Sequence, residues 1–150
     1  MVAMGKKNKR SGNQLEAKAR AALTDAGYII CRWQNTVEFT TDYDAGGSIE
    51  IGRIVGAKPK WNFFTKSISY SGTGFMDYIV MKKLKQGYEV IGLEVKSTGY
   101  LDPEERKKVD WYLDNNVFPK MIIAKKDKTG HLIFIDYKTK EELLVGDIFK

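Results

Sequence analysis

The chain has 150 residues, of which 43% are hydrophobic, and its formal net charge at pH 7 is +6. This length suits one domain with one core, and the composition is too apolar for a disordered protein. No apolar run approaches the roughly 20 residues that a membrane span needs, and no apolar stretch follows the charged N-terminus as in a secretory signal. A single cysteine excludes an internal disulfide framework and favours a reducing, cytoplasmic compartment.

The positive charge begins in residues 1–11, which lack hydrophobic periodicity and are predicted to form a flexible basic arm. A basic balance favours a polyanionic partner, because each neutralised phosphate releases counterions. If that partner is a nucleic acid, the arm would add sequence-independent affinity through Lys6, Lys7, Lys9 and Arg10. The alternative is a soluble, lysine-rich surface without such a partner.

The first half of the chain predicts one helix, one strand and an irregular region. Apolar residues recur at helical spacing over 12–27, and a β-branched and aromatic run at 28–33 predicts a strand. Residues 34–73 are rich in glycine and contain strand-like pieces at 48–55 and 61–68. A stretch this long without a helix indicates an inserted β-hairpin or a functional flap.

The second half predicts a hairpin and then a helix. The strand-like segments 74–81 and 88–96 are joined by a polar link that ends in glycine, so we expect an antiparallel pair. A helix is predicted over 101–116, where Asp102 suits the N-cap and Pro103 the first helical position.

Two further strands are predicted at 121–126 and 131–136, followed by a short helix over 138–144. Because helices and strands alternate, the sequence predicts an α/β fold with one mixed sheet and helices on its faces. No linker divides the chain, so residues 12–150 are expected to form a single domain.

The central hairpin carries a pattern of charges that indicates metal chemistry. Residues i and i+2 of a strand point to the same face, so Glu94 and Lys96 should lie side by side. Asp77 falls roughly opposite Glu94, with Cβ atoms about 4.5–5.5 Å apart. Two carboxylates this close repel unless a proton or a cation lies between them, and Mg²⁺ accepts such oxygen ligands. The backbone carbonyl of Val95 could add another ligand.

Lys96 would then orient or help to deprotonate the attacking water, or stabilise charge that develops on a phosphate. The alternative is an exposed ion pair between Glu94 and Lys96, with Asp77 merely ending a strand. The two interpretations differ in whether the three side chains converge on one site.

The segments GTGFMDYIVM and GLEVKSTGYLDPEERKKVDWYL resemble the PD-(D/E)XK nuclease superfamily, in particular its VRR-NUC branch, which occurs in phage nucleases and in repair nucleases. The early helix and the following YIICRW are similar to archaeal-type Holliday-junction resolvases. The resemblance implies a restriction-endonuclease-like mixed central sheet flanked by helices. It also implies Asp77 and Glu94 as Mg²⁺ or Mn²⁺ ligands, Lys96 as the catalytic lysine and Glu16 as the helix carboxylate that completes the site. This chain has Glu105 where VRR-NUC members often carry glutamine.

The implied function is a metal-dependent endonuclease that hydrolyses DNA phosphodiester bonds and recognises a junction, flap or end rather than a sequence. A homodimer is expected, because a duplex or junction presents two strands, and no membrane contact is expected. The alternatives are a non-catalytic nucleic-acid-binding module, a nuclease acting on RNA, and a subunit of a larger repair or restriction assembly.

Several further residues have two interpretations. Ser97 and Thr98 could bind a phosphate or simply end the strand, and Lys107 and Lys108 could contact the DNA backbone or form a solvated helix face. Three residues before the aspartate could line the cleft or form an ordinary loop: Tyr70, Ser71 and Thr73. Four aromatic residues could stack on bases, although strand-spaced aromatics more often pack in the core: Trp33, Trp61, Phe63 and Phe64.

Overall fold

The structure, a computed structural model, describes residues 2–69 and 74–150. Helix α1 spans Val2–Asp25 and helix α2 spans Pro103–Asp114. Neither helix is long and apolar enough to cross a membrane.

A flexible arm was expected over residues 1–11, but residues 2–11 are the beginning of α1, which starts at Val2. Alanine, lysine and arginine in this segment have high helix propensity. A helix that is already nucleated by its packed half therefore extends through them at little cost. The packed half contains Leu15, Ala19 and Leu23, each almost fully buried.

The described residues form ten strands. In chain order they are β1 (Ile29–Arg32), β2 (Asn35–Asp42), β3 (Ile49–Gly56), β4 (Lys60–Asn62), β5 (Ser67–Ser69), β6 (Tyr78–Lys83), β7 (Tyr88–Val95), β8 (Met121–Lys126), β9 (Leu132–Asp136) and β10 (Glu142–Leu143).

The main sheet has six strands in the order β1-β6-β7-β8-β9-β10. Strands β7 and β8 are parallel and every other pair in this sheet is antiparallel, so the sheet is mixed. Helix α2 lies in the crossover from β7 to β8, which parallel strands require. The predicted α/β fold with a mixed central sheet is therefore confirmed.

The sheet has a hydrophobic core on each face. Helix α1 packs on one face against residues such as Leu93 and Ile122. Helix α2 packs on the other face, where Tyr112 joins Met76 and Met121. Both faces of β7 are therefore covered, and polar side chains on this strand are held in poorly solvated surroundings.

The inserted region 34–73 contains two separate hairpins. Strands β2 and β3 form the first, of which the sequence indicated only β3. Strands β4 and β5 form the second, so the piece at 61–68 is a tight hairpin rather than one strand. Residues 70–73, with the cleft-lining candidates Tyr70, Ser71 and Thr73, lie outside the described residues.

The aromatic side chains of this region divide into two groups. Trp33 packs in the core against Tyr112 and Phe118, as expected. Trp61, Phe63 and Phe64 are exposed, so the expectation that they are core residues was wrong. Among the described residues their hairpin is a two-stranded sheet that pairs with no other strand, and such a sheet alone does not cover both of its faces.

The helix predicted over 138–144 is absent, and β10 pairs with β9 there instead. The carboxylate of Asp136 accepts hydrogen bonds from the backbone N–H groups of Lys138 and Thr139. Such side-chain acceptors compete with helical hydrogen bonding and favour a turn.

The segment that leads to Asp77 passes close over the link between β1 and β2. The N–H of Phe75 donates to the carbonyl of Asn35 at 2.9 Å, and the N–H of Trp33 donates to the carbonyl of Asp77 at 3.1 Å. A Cβ at Gly74 would lie 2.7 Å from the carbonyl oxygen of Trp33. Glycine is therefore required for this approach, which positions Asp77.

We expect Gly74→Ala to lower the free energy of unfolding by about 1–3 kcal/mol, since the added methyl group meets rigid backbone. Gly56→Ala on β3 is the matched control, because a Cβ there meets nothing within 4 Å, and it should change stability by less than about 0.5 kcal/mol. Urea unfolding of both variants measures the difference. Equal stability of the two variants would show that the close approach is not a constraint.

Candidate active site

Asp77 and Glu94 face each other at the start of β6. Tyr78 is paired with Leu93 across β6 and β7, so the next pair outward is Asp77 and Glu94. The N–H of Val95 donates to Asp77 Oδ2 at 2.8 Å, and the N–H of Asp77 donates to Glu94 Oε2 at 3.1 Å. The predicted opposition of the two carboxylates is confirmed, and their role as metal ligands stays a prediction.

The pair lies in surroundings that disfavour two negative charges. Glu94 is only 6% exposed. Burial, followed by the charge of Asp77, raises its pKa to about 9. Burial also raises the pKa of Asp77, to which the charge of Glu16 contributes, while the Val95 N–H opposes the shift. At neutral pH the pair therefore needs a proton or a nearby cation.

Lys96 follows β7 directly but does not pair with Glu94. Its Nζ donates to Glu105 Oε1 at 2.5 Å, and its backbone N–H donates to the carbonyl of Ala124. Burial works to lower the pKa of Lys96, yet the hydrogen bond and charge of Glu105 and the charge of Glu94 outweigh it and raise the pKa above its usual value. The alternative of an exposed Glu94–Lys96 ion pair was wrong.

The start of α2 holds Glu105 in place. Asp102 is the N-cap, and its carboxylate accepts from the N–H of Glu105 at 2.8 Å. Glu105 Oε2 in turn accepts from the N–H of Asp102 at 3.0 Å, which completes a capping box. Glu105 therefore uses one oxygen for the helix cap and the other for Lys96, and it couples the helix start to the site.

Glu16 is a half-buried residue of α1 with two side-chain partners. Its Oε2 accepts from the hydroxyl of Tyr78 at 2.8 Å and from Arg32 at 3.2 Å. Burial and then the hydrogen bond to Glu16 raise the pKa of Tyr78 to about 12. Glu16 thus lies close enough to influence Asp77 electrostatically, but its charge is directed toward Arg32.

Within the described residues, no set of three or more His, Cys, Asp or Glu side chains is grouped to hold a metal ion. The available set is the two opposed carboxylates of Asp77 and Glu94, and the carbonyl of Val95 as a further ligand stays a prediction. Mg²⁺ commonly retains several waters and uses one or two carboxylates. This donor set therefore fits a hydrated divalent cation, and Glu16 as an additional ligand stays a prediction.

The other candidate contact residues lie around this pair. Ser97 and Thr98 are exposed in the turn after Lys96, and the hydroxyl of Thr98 accepts from the N–H of Tyr100. Lys107 pairs with Glu50 and lies over the ring of Phe39 at 4.2 Å.

Lys108 pairs with Glu104 at 3.4 Å, so both α2 lysines have carboxylate partners within the chain. Arg10 is exposed on α1. The side chains of Lys6, Lys7 and Lys9 lie outside what the structure describes. Phosphate contact by these cations stays a prediction.

The sequence interpretation missed two residues that position the site, Arg32 and Tyr78, and it named Glu105 without its pairing to Lys96. The signal for Glu105 was present, because Asp102 at the N-cap followed three residues later by Glu105 is a capping-box pattern. Nothing in the sequence spacing placed Arg32 or Tyr78 against Glu16, because these contacts join α1 to the sheet across long chain separations.

Comparison of the chain with protein-family models, with curated protein sequences and with solved structures finds no match in any of the three. The resemblance to PD-(D/E)XK nucleases therefore stays a prediction.

In the absence of divalent cations, we expect Glu94→Gln to stabilise the protein at high pH. The raised pKa of Glu94 means that folding favours its protonated form. The stability that Glu94 contributes is therefore fully present below the pKa that it has in the unfolded chain, and it is lost as the pH rises toward 9. At pH 8 the free energy of unfolding of the variant should exceed that of the wild type by at least about 1.4 kcal/mol, the value of a one-unit pKa shift. At pH 5 the difference should be smaller.

Urea unfolding in EDTA at both pH values measures this difference. Glu89→Gln, at the other end of β7, is the control and should show no comparable pH-dependent gain. A Glu94→Gln protein that is less stable than the wild type at pH 8 would contradict the proposed burial penalty.

We expect Glu105→Gln to lower the pKa of Lys96, because the substitution removes the adjacent negative charge while glutamine preserves the capping box. An NMR titration of the labelled lysine side chains measures this pKa. Glu104→Gln is the matched control, since Glu104 pairs with Lys108 instead. A pKa of Lys96 that is equal in the two variants would show that Glu105 does not hold its charge.

Proposed function

We propose that the protein is a metal-dependent endonuclease that hydrolyses DNA phosphodiester bonds. The observation that carries this proposal is the pair of poorly solvated carboxylates, Asp77 and Glu94, whose pKa values are both raised. Opposed acidic groups in such surroundings are costly to the fold unless a proton or cation compensates them, and perturbed pairs of this kind concentrate at functional sites.

Asp77 and Glu94 would hold a Mg²⁺ or Mn²⁺ ion, with the carbonyl of Val95 beside them. When bound, the cation supplies a Lewis acid that acidifies water and offsets charge on the scissile phosphate. The chain contributes the rigid placement of both carboxylates, because each is fixed by a backbone N–H of the opposing segment.

Lys96 would act by its positive charge. Its raised pKa keeps the ammonium protonated at neutral pH, and a protonated amine cannot accept a proton from water. Of the two roles that the sequence suggests, stabilisation of negative charge on the phosphate is therefore favoured. Glu105 would orient the ammonium until a substrate phosphate competes for it.

The fold supports a place among restriction-endonuclease-like proteins. The mixed six-stranded sheet has a helix on each face, and the carboxylates lie on two adjacent antiparallel strands or at their ends. DNA is the favoured substrate because the chain is basic, and no separate sequence-reading domain is evident in the described residues. The proposal includes recognition of a junction, flap or end of DNA. It also includes a homodimer as the active form.

We expect the wild-type protein to cleave branched or flapped DNA only with Mg²⁺ or Mn²⁺ present. Asp77→Asn, Glu94→Gln and Lys96→Gln should each reduce the cleavage rate at least about 100-fold, as expected when a group that stabilises the transition state is removed. The measurement is cleavage of a panel of linear, single-stranded, flap and four-way substrates, with and without the cation.

Glu89→Gln controls for a general effect of removing a carboxylate from β7 and should retain cleavage. Circular dichroism should show that all variants are folded. Cation-dependent cleavage that the Glu94→Gln protein retains would contradict the proposal.

A further inference from the structure

The second inserted hairpin, β4–β5, exposes a cluster of aromatic rings, which we call the aromatic hairpin (residues 60–69). Trp61 is 53% exposed, Phe63 82% and Phe64 100%. Ile68, directly opposite Trp61 in the register, is 58% exposed as well. Contiguous exposed apolar side chains of this kind mark interaction sites on soluble proteins.

The tip of the aromatic hairpin has a defined conformation. Asn62 Oδ1 accepts from the N–H of Phe64 at 2.9 Å and from the N–H of Thr65 at 3.2 Å. The hydroxyl groups of Thr65 and Ser67 are 2.7 Å apart across the turn. The rings are therefore presented from a hydrogen-bonded turn, which lowers the entropy cost of binding a partner.

The charge around the aromatic hairpin identifies the class of partner. Between Glu50 and Asp77 the sequence contains four basic residues and no acidic one: Arg53, Lys58, Lys60 and Lys66. Two of them, Arg53 and Lys58, pair with Glu38 of β2, and Lys60 and Lys66 lie on the aromatic hairpin itself. Aromatic rings interleaved with lysines are the combination that binds single-stranded nucleic acid, because bases stack on the rings while cations contact the phosphates.

A cleft of 560 Å³ joins the aromatic hairpin to helix α2. Lys58 and Lys60 line it on the hairpin side, and Lys107 and Lys108 line it on the α2 side. Two carboxylates, those of Glu38 and Glu104, also line this cleft, and Lys107 pairs with Glu50 beside it, so the cations exceed the anions by one.

The α2 wall of the cleft contacts the segment that carries Asp77. The Nζ of Lys108 lies 5.8 Å from the ring centre of Phe75, and Phe75 is two residues before Asp77. The same helix carries Glu105, which holds Lys96. A polyanionic strand in the cleft would therefore run from Lys60, at the start of the aromatic hairpin, to the helix that carries Glu105.

We propose that the aromatic hairpin binds unpaired bases of a nucleic-acid strand by stacking on Trp61, Phe63 and Phe64, and so selects substrates with a single-stranded part. This inference rests on the proposed function, since it names the substrate feature that the same protein recognises. Bases within a duplex are already stacked on each other, so a hairpin that presents free rings discriminates against fully paired DNA.

The test is a binding measurement that does not require cleavage. Fluorescence anisotropy with a labelled 15-nucleotide thymidine strand and with a labelled blunt duplex is recorded in EDTA, using the Glu94→Gln protein as the starting point. Three further substitutions are then made together in this protein: Trp61→Ala, Phe63→Ala and Phe64→Ala. Single-strand binding should weaken at least about tenfold, the effect of losing stacking on one base. Duplex binding should change less than about twofold, because phosphate contacts dominate it.

Tyr43→Ser is the matched control. Tyr43 is 78% exposed and lies between β2 and β3, at the end of β3 that is away from the aromatic hairpin. This substitution should leave both affinities unchanged. Phe64→Ala alone tests the stacking without risk to folding, since that side chain is fully exposed. An equal loss on both DNAs, or no loss on the single strand, overturns the proposal. Unchanged single-strand affinity with a loss of binding to anionic phospholipid vesicles overturns it in favour of a membrane contact.

These outcomes are separate from the nuclease proposal. Single-strand preference that depends on the three rings would stand even if the wild-type protein cleaves nothing. Cation-dependent cleavage would likewise stand if the rings prove irrelevant to binding.

Discussion

Two acidic side chains that face each other away from solvent require a compensating proton or cation. Asp77 and Glu94 are such a pair, and backbone N–H groups of the opposing segments hold both carboxylates in place. Glu94 lies on a strand covered on both faces, so water cannot screen its charge effectively. Lys96, whose charge acts on Glu94, is already bound to Glu105. This lysine is therefore only partly available to neutralise the pair, and a bound divalent cation is the compensation that we propose.

The positions of these groups follow from consecutive pieces of the chain. Gly74 permits the close approach that leads to Asp77, β7 carries Glu94, and the turn after Lys96 delivers the chain to α2 with its capping box. The hydroxyl of Tyr112 then ties α2 back to the carbonyl of Phe75 at 2.6 Å. The segment from Gly74 to Tyr112 thus forms a closed unit that fixes both carboxylates and the lysine with hydrogen bonds.

Local patterns in the sequence predicted the elements that local physics decides. The hairpin of β6 and β7, the opposition of Asp77 to Glu94 and the Asp102 cap all follow from strand periodicity and capping chemistry. Features set by distant contacts were not predictable in this way, such as the exposure of Trp61 or the pairing of Glu16 with Arg32. The helix predicted over 138–144 does not form, because the carboxylate of Asp136 binds backbone N–H groups at its start and so favours a turn.

The binding of Mn²⁺, followed by the electron paramagnetic resonance signal of the free ion, tests the cation site most directly. We expect the wild-type protein to bind Mn²⁺ at a site that Asp77→Asn and Glu94→Gln each weaken at least about tenfold, which corresponds to about 1.4 kcal/mol. Glu89→Gln should bind as the wild type does. Undiminished binding in the Asp77→Asn and Glu94→Gln double variant would contradict the assignment of this pair as the cation site.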